Sequence, residues 1–239
     1  MRYPTYLEVG PAGWTLAYAL ALPGVFVKAR TADAALAAMP VAILREHDRL
    51  TRAGRTVAGI GEPVEVVETE RVSVESDVEH GVASALFRHD LRPTKDEEVP
   101  LALDRLALAR EELLAAVAHL SATHGERWIE ARARPAARAA GETLAHVADV
   151  EWWLLSRLGT RPKVILPAEV LERLSTVRAH TIERLTNLLP GDRERHAVFA
   201  GEAWTTRKVL RRLVCHERAH ADALSALAAA AVPNPTTTR

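Results

Sequence analysis

The chain has 239 residues, of which 31 are basic, 31 acidic and 10 histidine, so its formal net charge at pH 7 is zero. This balance argues against the one-signed field that draws a protein to nucleic acid or to an anionic membrane. The single cysteine, Cys215, has no second cysteine with which to form an internal disulfide, and the amino terminus MRYPTYLEVG lacks the apolar core of a secretion signal. The most apolar tract, residues 223–232, is too short to span a bilayer. We therefore expect a cytoplasmic protein with no membrane segment.

The chain from residue 6 to about residue 74 has the composition of strands around one helix. YLEVG and WTLAYALALPG are two β-rich runs, and the turn residues PAG between them predict an antiparallel hairpin. After VFVKAR, Thr31 is placed to cap a helix over residues 32–53, in which His47 is predicted to be a solvated histidine. The valines of EPVEVVETERV predict a further, half-exposed strand. The apolar positions that predict the buried side of the helix are Ala35, Leu36, Met39, Ile43 and Leu50.

The stretch LALPGVFVKARTADAALAAM, residues 20–39, has a strand that ends in Pro-Gly before a Thr-capped, alanine-rich helix. In this it resembles the small HicB-like domain over residues 3–75. The resemblance implies a small antiparallel β-sheet with one helix that serves as a protein-binding or oligomerising module. The alternative is a structural appendage.

Residues 76–98 are polar and irregular, which is typical of a linker. His80 and His89 lie in this segment without ligand spacing and are predicted to be surface residues. The sequence therefore predicts an α+β protein with two domains, at residues 1–75 and 99–239, and a boundary near residue 95.

Beyond residue 98 the apolar period becomes helical. It predicts one helix over residues 101–123 that stops at Gly125, and a second over 142–158 that is closed by Gly159. A third helix follows Pro167, and a fourth begins at EAWTTRK, residues 202–208, and continues until Pro233. Four amphipathic helices of this length predict a four-helix bundle.

The most suggestive motif for chemistry is HERAH, residues 216–220. His216 and His220 are one helical turn apart, so their rings project from the same side of the fourth helix. A metalloprotease with a HExxH motif takes its third ligand from farther along the chain, but residues 221–239 contain no histidine, cysteine or glutamate. His146 is an upstream candidate, predicted on the core-facing side of the second helix. From its residue type alone it is either a metal ligand or a hydrogen-bonded core histidine.

The pairing of ETLAHVADVEWWLLSRLG with GEAWTTRKVLRRLVCHERAH resembles the DinB-like superfamily, also called YfiT-like, over residues 99–231. The motif of that family, one histidine in the second helix and HxxxH in the fourth, falls on His146, His216 and His220. The resemblance implies a divalent ion, zinc or nickel, at these three residues. It also implies a crossover between the second and third helices, which here falls on residues 160–167 and would carry Val164, Ile165 and Leu166 across the bundle.

The same resemblance implies the chemistry. DinB-like proteins include thiol-dependent transferases and an isomerase, so we expect metal-assisted activation of a low-molecular-weight thiol for attack on an electrophile. A metal-dependent hydrolase is one alternative. Another is an interaction or stress-response module in which the bundle dimerises and the metal is structural. A homodimer is expected in any case, and a nucleic-acid partner is not.

Other residues near the three histidines have weaker predicted roles. Glu217 is rotated by about 100° from His216 and is predicted to face a neighbouring helix or solvent. Asp149 is a candidate for orienting a ligand histidine or an ordinary exposed aspartate, and Cys215 is predicted to pack in the core. The remaining candidates are Trp153 and Trp204, as pocket walls or core residues, and Arg207 and Lys208, as residues that meet an anionic substrate or as basic residues on the solvent face of their helix.

Overall fold

The first part of the chain folds into a mixed four-stranded sheet covered by one helix, in a computed structural model that describes residues 1–124, 135–159 and 163–230. The strands are β1 (Arg2–Val9), β2 (Thr15–Tyr18), β3 (Phe26–Ala29) and β4 (Glu65–Ser73), and α1 (Ala32–Arg52) lies between β3 and β4 in the chain. The strand order is β3-β2-β1-β4. The protein is therefore α+β, with the sheet in its amino-terminal part and long helices after it.

The direction of β4 corrects the predicted antiparallel sheet. β1 and β2 form the predicted antiparallel hairpin, with Leu7 opposite Ala17. β4 instead runs parallel to β1, with Val9 opposite Ser73. The cause is α1, because a helix between two strands returns the chain to the starting edge of the sheet, so the next strand enters in the same direction.

Helix α1 begins as its cap residue predicts. The Thr31 side chain accepts a hydrogen bond from Ala34 N, at 3.1 Å, and four of the five predicted core residues on the helix are buried. The prediction for His47 is wrong, because this residue is 4% exposed and its Nε2 lies 2.9 Å from the Tyr3 hydroxyl. It falls between Ile43 and Leu50 on the face of α1 that covers the sheet.

Residues 76–98 pack against the sheet. Glu8, a buried carboxylate of β1, accepts hydrogen bonds from the backbone N–H groups of Ser84 and Ala85 and from the Tyr18 hydroxyl. His80 is exposed, as predicted, and His89 is half-buried. The segment also contains a 3-10 turn over Val78–His80. Its buried residues are Val78, Ala83, Ala85, Phe87, Asp90 and Thr94.

Four long helices form most of the second part of the chain. They are α2 (Glu98–His124), α3 (Pro135–Leu155), α4 (Val170–Thr186) and α6 (Thr206–Ala230). A 3-10 turn, Ser156–Leu158, extends α3 to Gly159, where the predicted helix ends. Gly125 and Pro233, the other predicted stops, lie outside the described residues. No helix in the described ranges is both long enough and apolar enough to cross a bilayer.

A short helix and a hairpin precede α6. The short helix α5 (Pro190–Arg193) leads into the antiparallel strands β5 (His196–Phe199) and β6 (Glu202–Thr205). The fourth long helix therefore begins at Thr206 and not at the predicted residue 202. Ala200 and Gly201, at the tip of the hairpin, both have positive φ, which turns the chain tightly enough to pair the two strands.

Residue pairs give the directions of the helices. Asp149 of α3 contacts Arg173 of α4. Nine residues after Asp149, in the 3-10 turn that extends α3, the Leu158 carbonyl accepts a hydrogen bond from Arg184, which also lies later on α4. The two helices therefore run parallel. Two consecutive helices that run parallel need a connection that leads back from the end of the first helix to the level of its beginning, which is the path predicted for the crossover. Residues 160–162 of that connection lie outside the described residues. Of the predicted apolar trio, Leu166 packs against the helices, whereas Ile165 is 98% exposed and does not lie on the core.

The other long-helix pairs complete the arrangement. Glu98 pairs with Arg207 and Glu112 with Arg218, so α2 and α6 also run parallel. α3 runs antiparallel to α6. His146 of α3 meets His216 of α6, whereas Trp153, further along α3, meets Trp204 of β6, which directly precedes α6 in the chain. The core between these helices is lined mainly by Leu106, Leu113, Leu120, Leu144, Val147, Leu154, Leu174, Leu185, Leu213 and Leu224.

Candidate metal centre

Helix α6 carries two of the three candidate ligands. The Thr205 hydroxyl accepts a hydrogen bond from Lys208 N at 3.2 Å and so caps the amino end of this helix. His216 and His220 follow on one face, a single turn apart, with their Nε2 atoms separated by 3.2 Å. The helix thus presents both rings to the same point.

His146 of α3 comes to that point from the neighbouring helix. Its Nε2 atom lies 3.1 Å from His216 Nε2, although the two residues are 70 positions apart in the chain. One nitrogen from each of the three rings lies within 4.8 Å of the others. Within the described ranges, these three residues are the group of potential ligands that is placed to share an ion.

The spacing of the nitrogens suits a small divalent cation. Two imidazole nitrogens bound to one zinc ion at about 2.0–2.1 Å in tetrahedral geometry are about 3.3–3.4 Å apart. The observed 3.1 and 3.2 Å separations are close to that value. A donor set of three imidazoles also matches the chemistry of zinc and nickel, both of which accept this ligand readily.

The two rings of α6 are in the protonation state that metal binding requires. Burial, together with the neighbouring His220 and His146, lowers the pKa of His216 to about 2. Burial and His146 lower the pKa of His220 to about 4. Both rings are therefore neutral at pH 7, and a neutral imidazole has a lone pair to donate to a metal.

The site opens towards solvent. His146 is exposed, and His216 and His220 are half-buried. The predicted core-facing position of His146 is thus wrong. The core face of α3 passes instead through Leu144, Val147 and Leu154, and His146 lies at the edge of that face, beside α6.

Glu217 is separated from the histidines by its place in a buried ion cluster. Its carboxylate is bound by Arg110 of α2 and Arg178 of α4, and the same two arginines bind Glu151 of α3, at 2.9 and 2.8 Å. Glu217 therefore faces neighbouring helices, which was one of its two predicted positions. We call these four residues the buried ion cluster.

Two further candidates have no contact with the ligand nitrogens. Asp149 is exposed and pairs with Arg173 at 3.1 Å, so it is an ordinary surface aspartate. Cys215 packs against the apolar cluster under the sheet, as predicted. Burial raises the pKa of its thiol to about 11, which leaves it protonated at pH 7.

Aromatic and basic side chains lie beyond the histidines, towards the β5–β6 hairpin. Trp204 is buried, and its ring meets the partly exposed Trp153 edge to face at 5.3 Å. The guanidinium of Arg157 lies 4.3 Å from the centre of the Trp153 ring. Arg212, one turn before His216 on α6, lies 5.6 Å from the Trp204 ring. Trp204 is thus a core residue, whereas Trp153 borders the surface on which the histidines lie.

Arg207 and Lys208 correct a prediction. They are 6% and 0% exposed and do not lie on a solvent face. Arg207 binds Glu98 at 2.6 Å, and Lys208 Nζ donates to the carbonyls of Ser84 and Ala203. Residues 84–90 cover this face of α6, and no periodic pattern within the helix could have indicated that cover.

Comparisons with family models, with curated proteins and with solved structures give no match for this chain. We therefore infer the function of the chain from the geometry and chemistry of the three histidines.

Proposed function

We propose that the chain is a DinB-like metalloprotein in which His146, His216 and His220 bind one divalent cation, zinc or nickel, and that it transfers or isomerises substrates by activating a low-molecular-weight thiol. The observation that carries the proposal is the convergence of three imidazole nitrogens from two helices, 3.1 and 3.2 Å apart. Ligands that are brought together from such distant positions in a chain are typical of a metal site.

The exposure of His146 supports catalysis. A cation held by three imidazoles keeps an open coordination position, where it lowers the pKa of a bound thiol or water towards neutrality. Because the histidines lie at the protein surface, a small molecule has access to them. A purely structural zinc site is usually closed by a fourth protein ligand, and the described residues offer three.

Arg212 gives the surface beside the histidines a positive charge. It lies one turn before His216 and on the same side of α6, and its charge is one of the influences that lower the pKa of that histidine. Its pairing with Glu202 is loose, with Nη1 3.9 Å from Oε1. Its role in the proposed reaction is to attract and orient an anionic group of the thiol or of the electrophile.

Glu217 argues against the protease alternative. In a HExxH protease this glutamate is the general base and must reach a water molecule at the metal. Here its carboxylate is 3% exposed and is held by two arginines. Such a carboxylate has no free path to the histidines.

The test is metal content. Protein purified without a histidine tag is loaded with zinc or nickel, dialysed, and measured by inductively coupled plasma mass spectrometry. We expect close to one ion per chain in the wild type, and at least a tenfold weaker affinity in His146→Ala, because two ligands hold an ion much less tightly than three. His119→Ala removes an exposed histidine of α2 and is the matched control. Equal metal content in His146→Ala and the wild type would remove His146 from the site.

A structural role for the metal is the second candidate, because the three histidines join α3 to α6 and a cation there would cross-link the two helices. The two candidates differ in turnover. A metal-loaded sample that consumes a thiol and an electrophile, and loses this activity in Arg212→Gln with its metal content unchanged, has catalytic chemistry. A sample without turnover that loses thermal stability on chelation has a structural metal.

A further inference from the structure

One face of α3 leads from the three histidines towards the β5–β6 hairpin. It carries His146, Val150, Trp153 and Arg157, whose spacings of four, three and four residues place them on one side of a helix. Arg157 lies in the 3-10 turn that extends α3. His146 and Trp153 are exposed, and Val150 and Arg157 are half-buried. We call these four residues the α3 strip, which has a candidate metal ligand at one end and a cation at the other.

The guanidinium of Arg157 lies among three aromatic rings. Its central carbon is 4.3 Å from the centre of the Trp153 ring, 4.8 Å from that of Phe199 and 5.7 Å from that of Trp204. Aromatic faces attract a cation and restrict its movement. Because Trp153 is one turn before Arg157, the arginine side chain points back along α3, towards the histidines.

Arg157 has no acidic partner and no side-chain hydrogen bond among the described residues. The unpaired atom of this side chain that is buried is Nε, so the two terminal nitrogens are open to solvent. The two arginines of the buried ion cluster, in contrast, each bind two carboxylates. A guanidinium with its terminal N–H groups unused binds a carboxylate through a pair of parallel hydrogen bonds.

A second arginine adds positive charge at this end of the strip. Arg195 Nη1 lies 3.4 Å from the position that a Cβ atom would have at Gly159, two residues after Arg157. The carboxylate that Arg195 influences is Asp192, and both terminal nitrogens of Arg184 already bind it at 2.9 Å. The charge at this end therefore attracts an anion from solution.

The length of the strip sets the size of the ligand. The seven residues from His146 to Trp153, over whose ring the guanidinium lies, span about 10 Å of helix. An extended chain covers about 1.2 Å per bond, so about eight bonds cross this distance.

We propose that the thiol activated at the histidines is an elongated carboxylate. Its sulfur lies at the metal, its chain runs along Val150 and Trp153, and its carboxylate accepts hydrogen bonds from Arg157. The inference rests on the proposed function for the position of the sulfur. The position of the carboxylate follows from the α3 strip alone.

The test uses ω-mercaptooctanoate, whose sulfur and carboxyl carbon are eight bonds apart. ω-Mercaptopropionate is too short to join the two ends, and ω-mercaptooctanol has the full length without the charge. Each is titrated anaerobically into the nickel-loaded, full-length protein by isothermal calorimetry. We expect ω-mercaptooctanoate to bind at least about fivefold more tightly than the other two, because it alone joins the metal to the guanidinium.

Three variants locate the carboxylate. Arg157→Gln should weaken the binding of ω-mercaptooctanoate at least about fivefold and leave that of ω-mercaptooctanol unchanged. Arg157→Lys keeps the charge but loses the planar fork, so its loss should be smaller, and it replaces Arg157→Gln if that variant does not fold. The matched control is Arg30→Gln, because Arg30 is exposed and lies 5.1 Å from the Trp14 ring, in the other part of the chain. It should bind as the wild type does.

The carboxylate end is also measured without metal. Octanoate is titrated into the metal-free protein and followed by saturation-transfer NMR. We expect weak, saturable binding to the wild type and weaker binding to Arg157→Gln. If the sulfur adds no affinity in the metal-loaded protein, the proposed function is wrong, and octanoate still decides whether Arg157 binds a carboxylate.

Three results would overturn the inference. ω-Mercaptooctanoate and octanoate that bind Arg157→Gln as tightly as the wild type show that Arg157 does not hold the carboxylate. ω-Mercaptooctanol that binds as tightly as ω-mercaptooctanoate shows that the protein does not select an anion. ω-Mercaptopropionate that binds as tightly shows that the ligand does not extend along the α3 strip.

Discussion

His216 and His220 are neutral in the folded, metal-free protein at pH values where a free imidazole is charged. Burial and the neighbouring rings lower their pKa values to about 2 and about 4, compared with 6.5 for an unperturbed histidine. Between pH 6.5 and those values the unfolded chain binds more protons than the folded one. The contribution of these two rings to the free energy of unfolding therefore has its full value above pH 6.5 and decreases as the pH falls.

We expect the free energy of unfolding of the metal-free protein to fall between pH 7 and pH 4.5, and to fall less steeply in His216→Gln. Solvent access keeps the contribution of one histidine below the limit of about 1.4 kcal/mol per pH unit. Urea titrations at several pH values measure the slope. His80→Gln, at an exposed position, is the control and should follow the wild type. If the free energy of unfolding of His216→Gln falls with pH as steeply as that of the wild type, the lowered pKa of His216 is contradicted.

Single residues mark where sequence reasoning succeeded and where it could not. The spacing of His216 and His220 was enough to predict that both rings face one point. His146 was an upstream candidate from the sequence, but only a resemblance favoured it as the third ligand, since no local pattern links it to His216, 70 positions away. The burial of Lys208 and His47 was missed, because it depends on other segments of the chain that cover them.

At the scale of helices, the buried ion cluster connects α2, α3, α4 and α6. Its two arginines and two glutamates are between 3% and 11% exposed and balance each other in charge. Removing one member of such a cluster leaves a partner charged and buried, which costs more than the loss of the contact itself. The cluster therefore holds the helix that carries His216 in a fixed relation to its three neighbours.

We expect Arg178→Met to lower the free energy of unfolding by about 3–5 kcal/mol, because Glu151 and Glu217 are then paired with a single arginine. Urea denaturation followed by circular dichroism measures the change. The double variant Arg178→Met with Glu217→Gln should recover part of the loss, since it restores the charge balance. Arg71→Met breaks the exposed pair with Glu68 and should change stability little. A small effect of Arg178→Met would show that water reaches the cluster.

The helices were easier to predict from the sequence than the short strands. Each of the four long helices has an apolar repeat over many turns, and all four were predicted, with errors mainly at their ends. β5 and β6 have four residues each, which is too short for an alternating pattern to stand out. The direction of β4 depends on the path of the chain through α1 and was not contained in the pattern of the strand itself.

At the scale of the whole molecule, α6 holds the two parts of the chain together. Arg211 and Lys208 bind Asp90 and the carbonyls of residues 84 and 85, which in turn lie on the sheet. Gly24, in the stretch with the HicB-like pattern, lies so close to α6 that a Cβ atom there would come within 3.2 Å of Val214. That stretch thus contacts a helix of its own chain.

We expect Asp90→Ala to lower the melting temperature by about 6–20 °C in one transition, because the loss of a buried charge partner costs about 3–5 kcal/mol. Both parts should unfold together, since the affected contacts join them. Differential scanning calorimetry measures the temperature and the number of transitions. Asp48→Ala, at an exposed position of α1, is the control. Two separate transitions would show that the predicted domains unfold independently.

The place of α6 in the chain has a consequence for biosynthesis. Asp90 and Arg211 are 121 positions apart in the chain. Because a ribosome adds about 5–20 residues per second, Arg211 is synthesised about 6–24 s after Asp90. During that interval the face of the nascent sheet opposite α1 lacks the cover of α6 and exposes side chains such as Tyr18 and Phe87, over which the Arg211 guanidinium lies in the complete protein. Translation speed and chaperone access should therefore affect the yield of native protein more strongly than in a chain whose contacts are local.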